Sequence, residues 1–261
     1  MTALTDRSIA ALRGLHDDLV AHVRTLAEAE LSGPSAATDW TVAQVLSHLG
    51  SGAEIGRATY TAAIAAADPP GDEFNLGVWD RWNAMTPAQQ AQGFIEADAE
   101  LLTLLESVTA VQRDQLEVKL GFLPNPLPLE SIVGMRLSEV SLHSWDVRAG
   151  RDLTASVDPT AASALLEHYA GGMGFLLGFI GRADQVAEQA VVALGDTGLS
   201  LVVGDGVRVT HEAGAPTATF AGPAEAAIRL LAGRLGPAYV GGVQVLGNLT
   251  LDDLRRVFPG Y

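Results

Sequence analysis

The sequence contains no cysteine, which removes a disulfide framework, a thiolate nucleophile of the chain's own and any thiolate-bound metal or iron–sulfur cluster. If thiol chemistry takes place here, the thiol is imported. Positive charge is scarce as well: 16 Lys and Arg stand against 31 Asp and Glu, a formal net charge of −15. Such a chain repels phosphate backbones and acidic lipid headgroups, so neither nucleic acid nor a membrane is an expected partner. Long apolar runs are missing, since the longest, Tyr169 to Gly181, falls short of the ~18–20 residues that span a bilayer. No basic stretch followed by an apolar one opens the chain, and the reading that follows is a cytoplasmic protein. Familiar nucleophile and nucleotide motifs are absent too: there is no Gly-x-Ser-x-Gly and no P-loop. His211-Glu212 fails the metalloprotease pattern because position 215 is Ala, and Gly204-x-Gly206 lacks the third glycine of a dinucleotide fingerprint.

What is present is apolar material, 48% of 261 residues, enough for a buried core in one large domain or two modest ones at ~100–200 residues each. Ile9, Leu12, Leu15, Leu19, Val23 and Leu26 recur at helical spacing and predict a first helix over Ser8 to Glu30. His16 and His22 are placed off its apolar stripe, as solvated residues. Thr41 with Gln44 is a capping box that opens a second helix carrying Val42, Val45, Leu46, Leu49 and Ala53, expected to end before Pro69-Pro70-Gly71. Thr86-Pro87 opens a third toward Glu106, and the proline-studded loop through Pro128 leads to a fourth over Leu129 to Ala149. Four long helices joined by loops form a bundle.

A fifth helix follows Asp158-Pro159-Thr160, and past Arg182 the texture changes to short Val- and Thr-rich runs separated by Gly and Asp. Strands are predicted over Gln189 to Leu194, Leu199 to Val203, Val207 to Thr210, Thr217 to Phe220 and Val243 to Leu246, with helices over Pro223 to Leu235 and Leu251 to Phe258. The fold class is therefore α+β: a helix bundle over residues 1–155, then a connecting helix and a small α/β sandwich over 156–261.

The chemistry-bearing residues fall on the bundle. Glu139 and His143 are four residues apart, about 40° around and one turn along the same helix face, which also carries Ile132, Arg136, Val140 and Val147. Burying a carboxylate and an imidazole there is costly unless something satisfies them. A divalent metal does so, and His48, beside the Val45–Leu46–Leu49 stripe of the second helix, is available as a third ligand, leaving one position open. The same spacing also fits a solvated Glu–His pair, with His48 a hydrogen-bonded interior histidine. Asp146 stands three residues beyond His143, as a hydrogen-bond acceptor for its ring or as a packing and capping residue. Trp40, Trp79, Trp82 and Trp145 are candidates for a cavity wall or for the core.

Asp39-Trp40-Thr41-Val42 followed by Leu46-Ser47-His48-Leu49, and Arg136-Leu137-Ser138-Glu139 with His143-Ser144-Trp145-Asp146-Val147, resemble the two signature segments of the mycothiol-dependent maleylpyruvate isomerase family. Leu231-Ala232-Gly233-Arg234 resembles that family's Gly-Arg motif. The resemblance implies a DinB-like four-helix bundle joined to a sterol-carrier-like domain, with zinc held by His48, Glu139 and His143 and the fourth position taken by water or the sulfur of mycothiol. It further implies isomerisation of an unsaturated diacid of the maleylpyruvate kind, or transfer of the thiol to an electrophile. Arg234 is then the substrate-carboxylate anchor, with Arg81 and Arg136 as further cations. The alternative from another class is a non-catalytic protein whose second domain binds a small apolar ligand.

Overall fold

The apolar stripe of the N-terminal segment winds it into helix α1, Thr2–Val23, in a computed structural model that describes residues 2–121 and 123–260. The helix does not run on to Glu30. Thr25 Oγ1 donates to the His22 carbonyl at 2.7 Å, and the Glu30 carboxylate accepts from Ala27 N–H at 2.7 Å, so the chain turns and restarts as the one-turn α2, Glu28–Leu31. The capping box at Thr41 is formed, with Gln44 N–H donating to Thr41 Oγ1 at 3.2 Å and Thr41 N–H to Gln44 Oε1 at 2.8 Å. It opens α3, Val42–Ile64.

Two helices not anticipated from sequence follow the bundle's outline: α4, Asp72–Asn83, and the short α6, Ala110–Gln115. Between them runs α5, Pro87–Ser107, entered through Thr86-Pro87 as expected. A two-stranded ribbon, β1 (Glu117–Val118) paired antiparallel with β2 (Leu127–Pro128), leads directly into α7, Leu129–Ala149. The bundle is α1, α3, α5 and α7, with α3 packed on α5 and α1 on α7.

α4 is seated by Trp82, whose buried ring lies where a Cβ on Gly50 of α3 would come within 2.2 Å and one on Gly93 of α5 within 2.9 Å. Two glycines on facing helices thus form a slot for one indole. Its Nε1–H donates to Glu54 Oε2 at 3.0 Å, a carboxylate shared with Arg81. Glycine inside a helix costs about 1 kcal/mol relative to alanine, and here that cost admits the helix carrying Trp79 and Asn83.

The chain divides into two compact units between Asp152 and Leu153. In the second, Asp158 caps α8, Pro159–Ala170, followed by the single turn α9, Leu177–Ile180. The sheet comprises β3 (Ala190–Leu194), β4 (Ser200–Val203), β5 (Val207–Thr210), β6 (Ala218–Ala221) and β7 (Gln244–Gly247). Their order is β5-β4-β3-β6-β7, antiparallel except for the β3–β6 pair. Helix α10 is Ala224–Leu231 and α11 is Leu251–Val257. α10 stops four residues before the expected Leu235 because Gly233, at φ +69°, closes it: Arg234 N–H donates to Arg229 O at 2.7 Å and Gly233 N–H to Leu230 O at 2.9 Å, a Schellman cap. α8 and α10 pack on each other, and β3 and β6 alternate buried and more exposed residues, so helices cover one face of the sheet. Among the described residues no helix is long and apolar enough to cross a membrane.

Gly50→Ala tests the slot. The added methyl improves helix propensity by about 1 kcal/mol but meets a rigid, buried ring, an overpacking cost of about 1–3 kcal/mol. Net destabilisation in urea unfolding is expected; a more stable variant would show that Trp82 is not confined there.

Candidate metal centre

His48 reaches the site from α3, and Glu139 and His143 from successive turns of α7. His48 Nε2 lies 2.8 Å from Glu139 Oε2, and His143 Nε2 lies 3.6 Å from the same oxygen. One donor atom from each of the three side chains falls within 4.8 Å of the others. Ligand atoms at ~2.0–2.2 Å from a common ion stand roughly 3–3.5 Å apart, and the observed separations bracket that value. Two imidazoles and one carboxylate are a donor set suited to zinc and similar divalent ions.

The surroundings orient these groups. His143 Nδ1 faces the fully buried Asp146 Oδ2 at 2.8 Å, so with Nδ1 protonated the ring presents its Nε2 lone pair to Glu139 and His48. Of the two roles open for Asp146, it has the hydrogen-bonding one. Burial pushes the Glu139 carboxyl up, but the His48 hydrogen bond and the charges of His143, His48 and Arg136 outweigh it and hold the pKa down at about 2. The group is a carboxylate at any ordinary pH.

Trp40 roofs the pair of imidazoles. Its ring centroid lies 5.3 Å from that of His48 and 6.1 Å from that of His143, nearly parallel to the latter at 16°. The loop that carries it is pinned by Ser35, whose Oγ donates to Trp40 O at 2.9 Å, and by Ala36 N–H donating to Asp146 O at 2.9 Å. Asp39 completes the turn at φ +65°, a left-handed conformation that Asp tolerates better than most residues. Beside His48 opens a cavity of about 210 Å³ lined by Trp40, Gln44, Ser47, Ser51, Trp79, Trp82 and Asn83. Three of the four tryptophans thus line a cavity, and Trp145 is core.

One part of the site was read wrongly from sequence. His16 is buried, not solvated: its Nδ1 lies 2.7 Å from Asp98 Oδ2, while Asp98 Oδ1 accepts from Arg136 Nη2 at 2.6 Å. Its position four residues after Leu12 and three before Leu19 lies within the stripe, so the spacing itself held the signal. His22 is partly exposed. Arg136 Nη2 also donates to the Leu49 carbonyl at 3.0 Å, so the guanidinium joins α7, three residues before Glu139, to α3, one residue after His48, and to α5. Arg136 is thereby committed to the bundle and Arg81 to Glu54. Arg234 lies in the second unit, partly buried, just past the cap of α10, with Nη1 donating to Ala232 O at 3.3 Å.

Residues 12–148 match the family described as the mycothiol maleylpyruvate isomerase N-terminal domain. The chain belongs to this family. In fold it is similar to the crystal structure of a mycothiol-dependent maleylpyruvate isomerase, with a TM-score of 0.65 at 16% identity over 98% of this chain and 97% of that one. A variant of a mycothiol-dependent maleylpyruvate isomerase in which a histidine is replaced by alanine superposes equally, with a TM-score of 0.64 at the same identity and coverage. The N-terminal helical unit and the small C-terminal sheet are thus the architecture of that isomerase. No curated protein matches the chain in sequence.

Asp98→Asn keeps the shape of the buried acceptor and removes its charge. Burial alone would raise the Asp98 pKa, but the charge of Arg136 and the hydrogen bonds from His16 and Arg136 hold it below the ordinary carboxylate value. A depressed folded-state pKa contributes stability that is present above the unfolded value of ~3.9 and lost as pH falls through the folded one. At pH 7 the variant should be less stable by about 3–5 kcal/mol, because Arg136 remains buried without its counter-charge. The gap should begin to close below about pH 4 and keep closing as pH falls through the folded-state value; a gap as wide at pH 3 as at pH 7 would rule out the ion pair as its source.

Proposed function

We propose that this protein is a mycothiol-dependent metalloenzyme that isomerises an unsaturated diacid of the maleylpyruvate kind, or transfers the thiol to an electrophile. The observation that carries the reading is the convergence of His48, Glu139 and His143 from two helices, in a member of this family. These three residues would hold the ion, zinc by resemblance. A divalent ion bound there lowers the pKa of a coordinated thiol toward neutrality. When bound, such a thiol would supply the nucleophile that a cysteine-free chain lacks, for reversible addition to an activated cis double bond in isomerisation or for addition to an electrophile in S-transfer.

The chain's own groups do the holding and orienting. Asp146 keeps the His143 proton on Nδ1, so that Nε2 is the donor. Glu139 remains ionised and offsets positive charge in the site. Trp40 stands against both imidazoles, nearly parallel to that of His143, and limits how far the two rings can turn. Arg234 is proposed as the anchor for a substrate carboxylate, a planar fork suited to bidentate pairing. In this account the bundle, residues 1–155, carries ion and thiol, Arg234 belongs to the sterol-carrier-like domain, 156–261, and the enzyme works in the cytoplasm.

Metal analysis tests the reading. The purified protein should contain close to one equivalent of a divalent ion, His143→Ala should lose it, and Asp146→Asn should weaken binding by about 10–100-fold through loss of ring orientation. Unchanged metal content in alanine variants of all three ligand positions would reject the site.

A further inference from the structure

The cavity beside His48 has a composition that selects its ligand. Its walls are Trp40, Trp79 and Trp82, the amides of Gln44 and Asn83, and the hydroxyls of Ser47 and Ser51; His48 is the one titratable side chain among them. Among the described residues, no carboxylate, ammonium or guanidinium lines it. A charged ligand would therefore be desolvated without a counter-charge, and a wholly apolar one would leave the amides and hydroxyls facing it unpaired.

Trp79 is 46% exposed and Trp40 is 38% exposed, although an indole is among the side chains with most to gain from burial. Both are held in place despite that exposure: Trp40 by its pinned loop, and Trp79 by α4, anchored through Trp82 in the glycine slot. Gln44 Oε1 is occupied by the Thr41 N–H at 2.8 Å, so its NH2 remains as a donor. Ser51 Oγ donates to the His48 carbonyl at 3.1 Å, so its oxygen remains as an acceptor. At about 210 Å³ the space is below the ~300–1,000 Å³ of sites for drug-sized ligands, and it suits a single ring with its substituents.

We propose that this cavity is a subsite for an uncharged, hydroxyl-bearing six-membered ring, a sugar or cyclitol. Its C–H faces lie against Trp79 and Trp40, and its hydroxyls bond the Gln44 and Asn83 amides and the two serines. Because His48 both lines the cavity and faces Glu139 at 2.8 Å, the ring is the part of a ligand whose other end reaches the candidate metal centre. On the functional reading above, and resting on it for identity, that ligand is mycothiol, which carries its thiol arm on a glucosaminyl-inositol; the cavity then selects this thiol over smaller ones.

The test uses the metal-loaded full chain and N-acetylglucosaminyl-inositol, which has the rings without the thiol, with indole fluorescence and calorimetry as readouts. Saturable binding is expected in the parent. Trp79→Ala and Asn83→Ala should each weaken it at least tenfold with metal content unchanged, and Trp79→Phe, which restores an aromatic face, should recover most of it. Both positions are exposed, so the variants retain the fold, which circular dichroism verifies. Equal affinity in the parent and both alanine variants overturns the proposal, as does no saturable response at about 50 mM, weaker than any millimolar-class site. Ring binding without any effect of mycothiol on the metal sustains the subsite and removes the thiol reading; a metal response to mycothiol without ring binding does the reverse.

Discussion

The Arg136 guanidinium lies almost wholly inside the bundle and touches three helices: α7 by its own backbone, α5 through Asp98, and α3 through the Leu49 carbonyl. A buried charge of this kind is tolerated only with a counter-charge and hydrogen bonds in place, and Asp98 with His16 supplies them. The consequence is positional. Arg136 sits three residues before Glu139 and bonds α3 one residue after His48, so the network fixes the register between the two helices that supply the candidate ligands. Ligand sets tolerate errors of only a few tenths of an ångström, and a specified polar network sets register in a way that the surrounding leucines and valines alone do not.

A second constraint follows from the absence of cysteine and the excess of acidic groups. With no thiol in the chain, the nucleophile in the proposed chemistry arrives with the cosubstrate, and the protein's task is to hold it. The two halves of that task fall on adjacent surfaces that share Trp40 and His48: the donor set on one side, the indole- and amide-lined cavity on the other. In a chain of formal charge −15, an uncharged ring is also a ligand that the general field does not repel.

Much of this was legible in the sequence because its signals are local. The α7 limits, Leu129 and Ala149, follow from the proline-rich approach and the apolar period, the capping box at Thr41 and the Thr86-Pro87 cap mark where α3 and α5 begin, and the five strands fall within a residue or so of the Val- and Thr-rich runs. The i, i+4 spacing of Glu139 and His143 placed them on one face. What was missed depends on distant partners. α4 offers only Val78 and Trp82 to the core, and its seat is made by Gly50 and Gly93, which read in isolation as weak points in two other helices. His16 finds its partner 82 residues away, so its burial shows in the stripe but its role does not. The break after Val23 comes from a Thr25 hydroxyl competing for a helix carbonyl, a choice that apolar periodicity does not record.

The central claim is that the His48–Glu139–His143 centre presents a metal ion to an imported thiol. The most direct measurement is the electronic spectrum of the cobalt-substituted protein on addition of mycothiol, because a sulfur ligand changes both the charge-transfer and ligand-field absorption of the ion. The account predicts a new thiolate-to-cobalt band that saturates with thiol and is absent in His48→Ala. A spectrum unchanged at millimolar mycothiol, in protein that holds its full equivalent of cobalt, would contradict it.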